Sequence, residues 1–145
     1  MRPASHRVDA MQVLVVDDFD DAREMYASFL RRAGWIVVEA ASAQEAIERA
    51  TRSLPDIVLM DLALPDFDGL EATRRLKRAQ ATSRIPVLVL TACVDDTSRT
   101  RAFAAGAEGV ITKPCLPSDL VRELERHLDR ASVRARLDEL HHRAC

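Results

Sequence analysis

The sequence predicts an α/β domain of (βα)5 type, a doubly wound, five-stranded parallel sheet with helices on both faces. Three observations predict it. Five short runs rich in Val, Ile and Leu recur along the chain, and each is followed by a segment of helical periodicity. The connections between runs are too long for hairpins, and runs apolar throughout need cover on both faces of the sheet. The composition, 48% hydrophobic, 30% charged and 4% aromatic, suits an aliphatic α/β interior better than an all-β sandwich or a disordered segment. At 145 residues the chain has room for one core of ordinary size.

Residues 1–10 carry Pro3, Ser5, His6 and Arg7 without any period and read as a flexible lead-in, with His6 solvated. The run Met11 to Val16 is β-branched and ends at Asp17-Asp18, as a central parallel strand would. Ala22, Met25, Tyr26, Phe29 and Ala33 then recur at helical spacing, and Gly34 supplies the stop. Trp35 to Val38 reads as a second strand. Ser42 and Glu45 form a capping box that starts a helix through about Thr51. Asp56 to Met60 is the third strand, and Asp68 caps a helix with Leu70, Thr73 and Leu76 on one face. Val87 to Leu90 is the fourth strand, ending at Thr91. Asp95-Asp96 caps a short helix through about Ala105. Gly109 to Thr112 is the fifth strand, and Pro117 fits the first turn of a helix with Leu120, Val121, Leu124 and Leu128 on one side. These elements set a domain at 11–129, with 130–145 as a helical extension or tail. In that tail Val133, Leu137 and Leu140 are out of phase with Leu124 and Leu128, and His141-His142 cannot share a helical face as a metal pair would.

A net charge of −2 points to neither nucleic acid nor an anionic membrane. No run approaches the roughly 18 apolar residues of a membrane span, and no apolar segment follows the basic residues near Met1. Cys93, Cys115 and Cys145 are odd in number and widely spaced, which argues against a disulfide framework or a zinc site. A soluble, cytoplasmic protein with reduced thiols is the expectation, and Cys93 reads as a small buried thiol.

Asp17-Asp18, Asp61, Thr91 and Lys113 all fall at strand C-termini, the edge where parallel α/β sheets bind ligands. Three carboxylates there repel one another unless a hard divalent cation neutralises them. Mg2+ fits, because it takes oxygen ligands and is held by one or two carboxylates together with a phosphoryl oxygen. An aspartate so placed can attack an activated phosphoryl group, with Lys113 offsetting the charge and the Thr91 hydroxyl donating to a phosphoryl oxygen. Each residue alone has a plainer reading. Asp17-Asp18 would suit a solvated turn before a helix, Lys113 a surface lysine, and Thr91 a strand-end hydroxyl bonded to backbone. Asp66 and Asp68 read as turn and cap residues rather than ligands. Only the joint spacing favours a site.

The pair Asp17-Asp18, Asp61 within Leu59-Met60-Asp61-Leu62-Ala63-Leu64-Pro65-Asp66-Phe67-Asp68-Gly69, Thr91-Ala92 and Lys113-Pro114 together resemble the receiver domain of two-component response regulators, from about Gln12 to Asp129. The resemblance implies a flavodoxin-like sheet with strand order 2-1-3-4-5. It implies that Asp61 is the phosphoacceptor, that Mg2+ is bound by Asp18, Asp61 and the Ala63 carbonyl with Asp17 acting through water, that Lys113 contacts the phosphoryl group, and that the Lys113-Pro114 bond is cis. It implies a histidine kinase or histidine phosphotransfer protein as donor, a downstream protein target, slow autodephosphorylation, and the option of a homodimer through helix 4, strand 5 and helix 5.

One departure concerns the switch. Receivers usually carry Tyr or Phe three residues before the lysine, where the ring turns inward as the threonine moves; this chain has Val110. Valine cannot swing in that way, so coupling between Thr91 and Val110 must differ from the usual route. Ala63 and Cys93, at positions that tune phosphoryl lifetime in the family, offer no carboxamide or acid. With no output domain read in the chain, the expectation is a stand-alone receiver that signals by protein contact and is not a conventional enzyme. Three alternatives stay open: a phosphate sink or relay intermediate, a binding module indifferent to phosphorylation, and a phosphatase resembling the haloacid dehalogenases. The last would need an acid where Ala63 stands.

Overall fold

Strands and helices alternate in the computed structural model, which describes residues 11–92 and 95–128. In order they are β1 (Gln12–Val16), α1 (Asp20–Arg32), β2 (Ile36–Ala40), α2 (Ala43–Ser53), β3 (Ile57–Asp61), α3 (Gly69–Arg78), β4 (Val87–Thr91), α4 (Asp96–Ala104) and β5 (Gly109–Thr112). A fifth helix, α5, occupies 117–128 of the described residues. The strands form one sheet in the order β2-β1-β3-β4-β5, and every pairing is parallel. The lead-in at 1–10, Cys93 and the extension at 130–145 lie outside the described residues.

Side chains alternate across a strand, so each strand feeds two layers. Val13 and Val15 of β1 join Ile57, Leu59, Leu88 and Leu90 in a layer closed by Leu30 of α1 and Leu120 and Leu124 of α5. Leu14 and Val16 join Val58, Met60 and Val87 in the opposite layer, closed by Ala46 and Ala50 of α2 and Leu76 of α3. A smaller cluster of Leu70, Val89, Ala102, Ala105 and Ala107 lies under α4. Nearly all of the central strands β1, β3 and β4 is buried, as their unbroken apolar runs require.

The capping signals act as the sequence suggests. Ser42 accepts the Glu45 N–H at 3.1 Å, and Glu45 reaches back to the Ala41 N–H at 2.7 Å. Asp68 and Asp95 accept the N–H groups of Glu71 and Ser98 at 2.8 and 2.7 Å. Gly34 takes the left-handed conformation, φ 103°, that ends α1.

Several boundaries differ from the sequence reading by a residue or two, most clearly at β2, and one helix buries a different set of residues. Trp35 precedes β2 because its N–H closes the end of α1 on the Leu30 carbonyl at 3.0 Å, and β2 instead continues to Ala40. In α1 the buried residues are Tyr26, Ala27 and Leu30, while Met25 and Phe29 are exposed. The apolar stripe on that helix is wider than the face the sheet covers.

At the sheet edge opposite the candidate site, Lys77 of α3 bonds the Ile85 carbonyl at 2.6 Å and Glu108 at 2.9 Å. Glu108 in turn accepts the Val87 N–H at 2.9 Å. One half-buried pair thus fixes the starts of β4 and β5 against α3. Lys77→Met strands a half-buried carboxylate, and should lower the unfolding free energy measured in urea by about 1–3 kcal/mol. The exposed pair Arg49–Glu45, by contrast, should yield about 0.5 kcal/mol or less on Arg49→Ala. Equal losses in the two variants would contradict this account of the latch.

Candidate functional site

Four neighbouring strand ends build the site. Val16 of β1 lies opposite Met60 of β3, so Asp17 and Asp61 emerge side by side. Thr91, the last residue of β4, lies opposite Thr112 of β5, which delivers Lys113 one residue later. From β1 the chain passes outward to β2 and then returns to β3 on the other side of β1. That reversal opens a crevice beyond the strand ends, where ligands bind in sheets of this kind.

Carboxylate oxygens of Asp17, Asp18 and Asp61 lie within 4.8 Å of one another. Asp17 is 2% exposed and Asp61 6%, while Asp18 faces solvent. The Lys113 Nζ sits between the two buried acids, 3.0 Å from Asp17 Oδ2 and 3.3 Å from Asp61 Oδ2. The remaining oxygens are also engaged: Asp17 Oδ1 accepts the Phe19 N–H at 3.0 Å, and Asp61 Oδ1 the Ala63 N–H at 3.3 Å. Burial pushes the Asp61 carboxyl above its ordinary range, against the pull of Lys113, and the neighbouring Asp17 adds to the rise. Burial also opposes the Lys113 charge, but its hydrogen bond to Asp17 and the field of Asp61 outweigh that and raise its pKa. An anionic cluster with one ammonium and hard oxygen donors fits a divalent cation such as Mg2+.

The other residues singled out from the sequence divide into two groups. Thr91 is buried, and its carbonyl accepts the Lys113 N–H at 2.8 Å, so the end of β4 is tied to the lysine. The Lys113-Pro114 bond is cis. Ala63 is exposed at the rim, in the loop beyond Asp61. Val110 belongs elsewhere: it is half-buried opposite Val89, packed against the cluster under α4.

The loop from Leu62 to Asp68 is held from three sides. Asp66, read from the sequence as a turn residue, accepts the N–H groups of Ala43 and Gln44 at 2.9 and 2.8 Å and so caps the start of α2. The Phe67 ring lies under the Arg75 guanidinium, 4.4 Å from its centroid. Gly69 approaches the strand end so closely that a Cβ there would lie 2.2 Å from the Asp61 carbonyl oxygen. Any side chain at Gly69 displaces the strand end that carries Asp61.

Sequence reasoning missed Arg23. Its Nη1 donates to the Asp17 carbonyl at 2.9 Å, reaching across from α1 to the turn that holds two of the acids. Its place five and six residues after the acid pair was the only signal, and a helical arginine at that distance has many possible partners.

Comparison with known proteins agrees with this geometry. The family model described as response regulator receiver domain matches residues 13–125. The phosphate regulon transcriptional regulatory protein PhoB of Pseudomonas aeruginosa is 39% identical over 118 residues, covering 81% of this chain and 52% of that protein. The chain therefore spans about half the length of that relative. A 14.6 kDa protein of Leptolyngbya boryana, encoded in the sodA1 3′ region, is 33% identical over 81% of this chain and 89% of its own. Among solved structures, the chemotaxis protein CheY4 of Vibrio cholerae matches with a TM-score of 0.78 at 30% identity, over 81% of this chain and 98% of CheY4. A two-component response regulator of the LuxR family from an Aurantimonas species matches with a TM-score of 0.75 at 38% identity, over 83% of this chain and 86% of that one. Among the described residues no helix is long and apolar enough to cross a membrane. By the family match across most of its length and by its sheet order, the chain belongs to the response regulator receiver domains of two-component signalling systems.

Proposed function

We propose that Asp61 accepts a phosphoryl group from the phosphohistidine of a kinase or histidine phosphotransfer protein, and that the phosphorylated chain signals by contact with another protein. The observation that carries this reading is the Asp61–Lys113 pair at 3.3 Å, set beside two further carboxylates within 4.8 Å. An Asp61 Oδ attacks phosphorus, a P–O bond forms, and the P–N bond breaks as the imidazole departs. Lys113 holds a positive charge beside the phosphoryl oxygens throughout. Asp18, Asp61 and the Ala63 carbonyl are the residues proposed to hold Mg2+, with Asp17, already bonded to Lys113 and Phe19, acting through water. The metal, when bound, neutralises charge on the transferring group.

In this reading the Thr91 hydroxyl would answer the phosphoryl group. With Val110 packed in the small cluster under α4, the response passes through the loop after β4 rather than through a ring swing. A downstream protein, or a second copy of the chain, would then read the α4, β5 and α5 face, where Phe103 is exposed. The haloacid-dehalogenase alternative is disfavoured, because the position two residues after Asp61 is Ala63. The single-domain reading draws support from CheY4, of which the match covers 98%. A second reading has its own support. PhoB, of which the match covers only 52%, is a transcriptional regulatory protein, so the receiver could instead govern an attached output domain.

Intact-mass analysis after incubation with acetyl phosphate and Mg2+ should show one phosphoryl adduct. The adduct should disappear with Asp61→Asn or with a chelator. An adduct that persists in Asp61→Asn would overturn the assignment.

The raised Asp61 pKa has a consequence for stability. A carboxyl that binds its proton more tightly when folded contributes stability at low pH, and loses it as pH rises through the folded value. At neutral pH an ionised Asp61 therefore weakens the metal-free fold. Asp61→Asn should raise the unfolding free energy by about 1 kcal/mol at pH 7, with the gain shrinking as pH falls through the raised folded value and gone below the ordinary carboxyl value of about 4. Urea unfolding at the two pH values, without Mg2+, checks both size and sign.

A further inference from the structure

The turn from β1 to α1 is short, and the residue at the helix N-cap, Phe19, provides no side-chain cap. The turn nevertheless has to aim Asp18, the exposed acid of the cluster. Two half-buried groups hold Asp17 from opposite sides. Lys113 takes its carboxylate from within the site, and Arg23 takes its backbone carbonyl from the helix side, at 2.9 Å. The Arg23 guanidinium is itself fixed. Its Nε donates to Glu39 Oε1 at 3.1 Å, its Nη2 lies 2.7 Å from Asp20 Oδ1, and its side chain is 15% exposed. Glu39 is anchored in β2 opposite Val15 and is shared with Arg31 at 3.2 Å. The Asp17 N–H bonds the Ala40 carbonyl at 3.1 Å, again on β2.

The carbonyl that Arg23 holds belongs to the Asp17–Asp18 peptide, and rotation of that peptide redirects Asp18. We propose that Arg23 is a positioning residue for the cation site, holding this peptide so that the Asp18 carboxylate faces those of Asp17 and Asp61. The proposal rests on the reading of the acid cluster as a Mg2+ site. A guanidinium suits the task because its planar fork serves three acceptors in fixed directions, which an ammonium cannot do from one point. Loss of the fork leaves the Lys113 contacts to Asp17 and Asp61 in place. Its effect therefore falls on metal affinity rather than on the phosphoacceptor.

The test compares wild type, Arg23→Lys and Arg23→Gln by calorimetric Mg2+ titration, by adduct formation from acetyl phosphate across a Mg2+ series, and by urea unfolding without metal. Arg23→Gln should bind Mg2+ about tenfold more weakly, with Arg23→Lys between it and wild type. At saturating Mg2+ the adduct should form at close to the wild-type rate. In metal-free NMR spectra the backbone amides of Asp18 and Phe19 should shift in Arg23→Gln. A folded Arg23→Gln with wild-type Mg2+ affinity and only reduced unfolding stability would overturn the proposal and leave Arg23 structural. Should Arg23→Gln fail to fold, wild-type affinity in Arg23→Lys would overturn it equally. Absence of Mg2+ binding in the wild type would instead defeat the metal-site reading itself.

Discussion

One ammonium between two buried carboxylates sets the terms for this domain. Asp17 and Asp61 are brought together by adjacent parallel strands, and at neutral pH their charges would drive those strand ends apart without Lys113. Lys113 is in turn placed by β5, whose register with β4 is fixed at the far edge by Lys77 and Glu108. The site is therefore a property of the whole sheet. The charge balance is also incomplete, since three acids share one ammonium, and the Asp61 pKa is raised by burial first and by the neighbouring Asp17 as well, against the pull of Lys113. Under the proposed function this cluster would take a cation and a phosphoryl group, and the fold would give up some stability to keep it so.

The surrounding loops limit how that imbalance can relax. Gly69 allows the backbone to pass against the Asp61 carbonyl, and Asp66 secures the same loop to the start of α2. Arg23 and β2 hold the opposite wall through the Asp17 backbone. Thr91, the residue proposed to answer a change at Asp61, stands at the end of β4, and its carbonyl is joined to the Lys113 N–H. Val110, with no ring to move, keeps the cluster under α4 aliphatic and small.

Much of this was legible in the residues. The apolar runs placed every strand, because a sheet covered on both faces leaves no polar alternation to confuse the pattern. Asp17, Asp18, Asp61, Thr91 and Lys113 could be identified because strand ends are fixed by the same runs, and a carboxylate at the end of a buried strand needs a partner. Less legible were contacts made by long side chains across elements. Arg23 reaching Asp17, Asp66 capping α2 and Lys77 meeting Glu108 depend on how helices are seated on the sheet, which periodicity does not specify. The exposure of Met25 and Phe29 has the same origin, since an apolar stripe records what could be buried and packing decides what is. The family resemblance supplied what periodicity alone did not, the strand order and the cis bond at Lys113-Pro114.

The most direct test of the central claim is the titration of the Asp61 carboxyl carbon by NMR in metal-free protein, in wild type and in Lys113→Ala. The account predicts a midpoint above the ordinary carboxylate range in wild type and a further rise in Lys113→Ala, because burial and Asp17 would then act on Asp61 without the opposing ammonium. An ordinary midpoint that does not move when Lys113 is removed would contradict it, and would mean that the lysine does not hold these strand ends together.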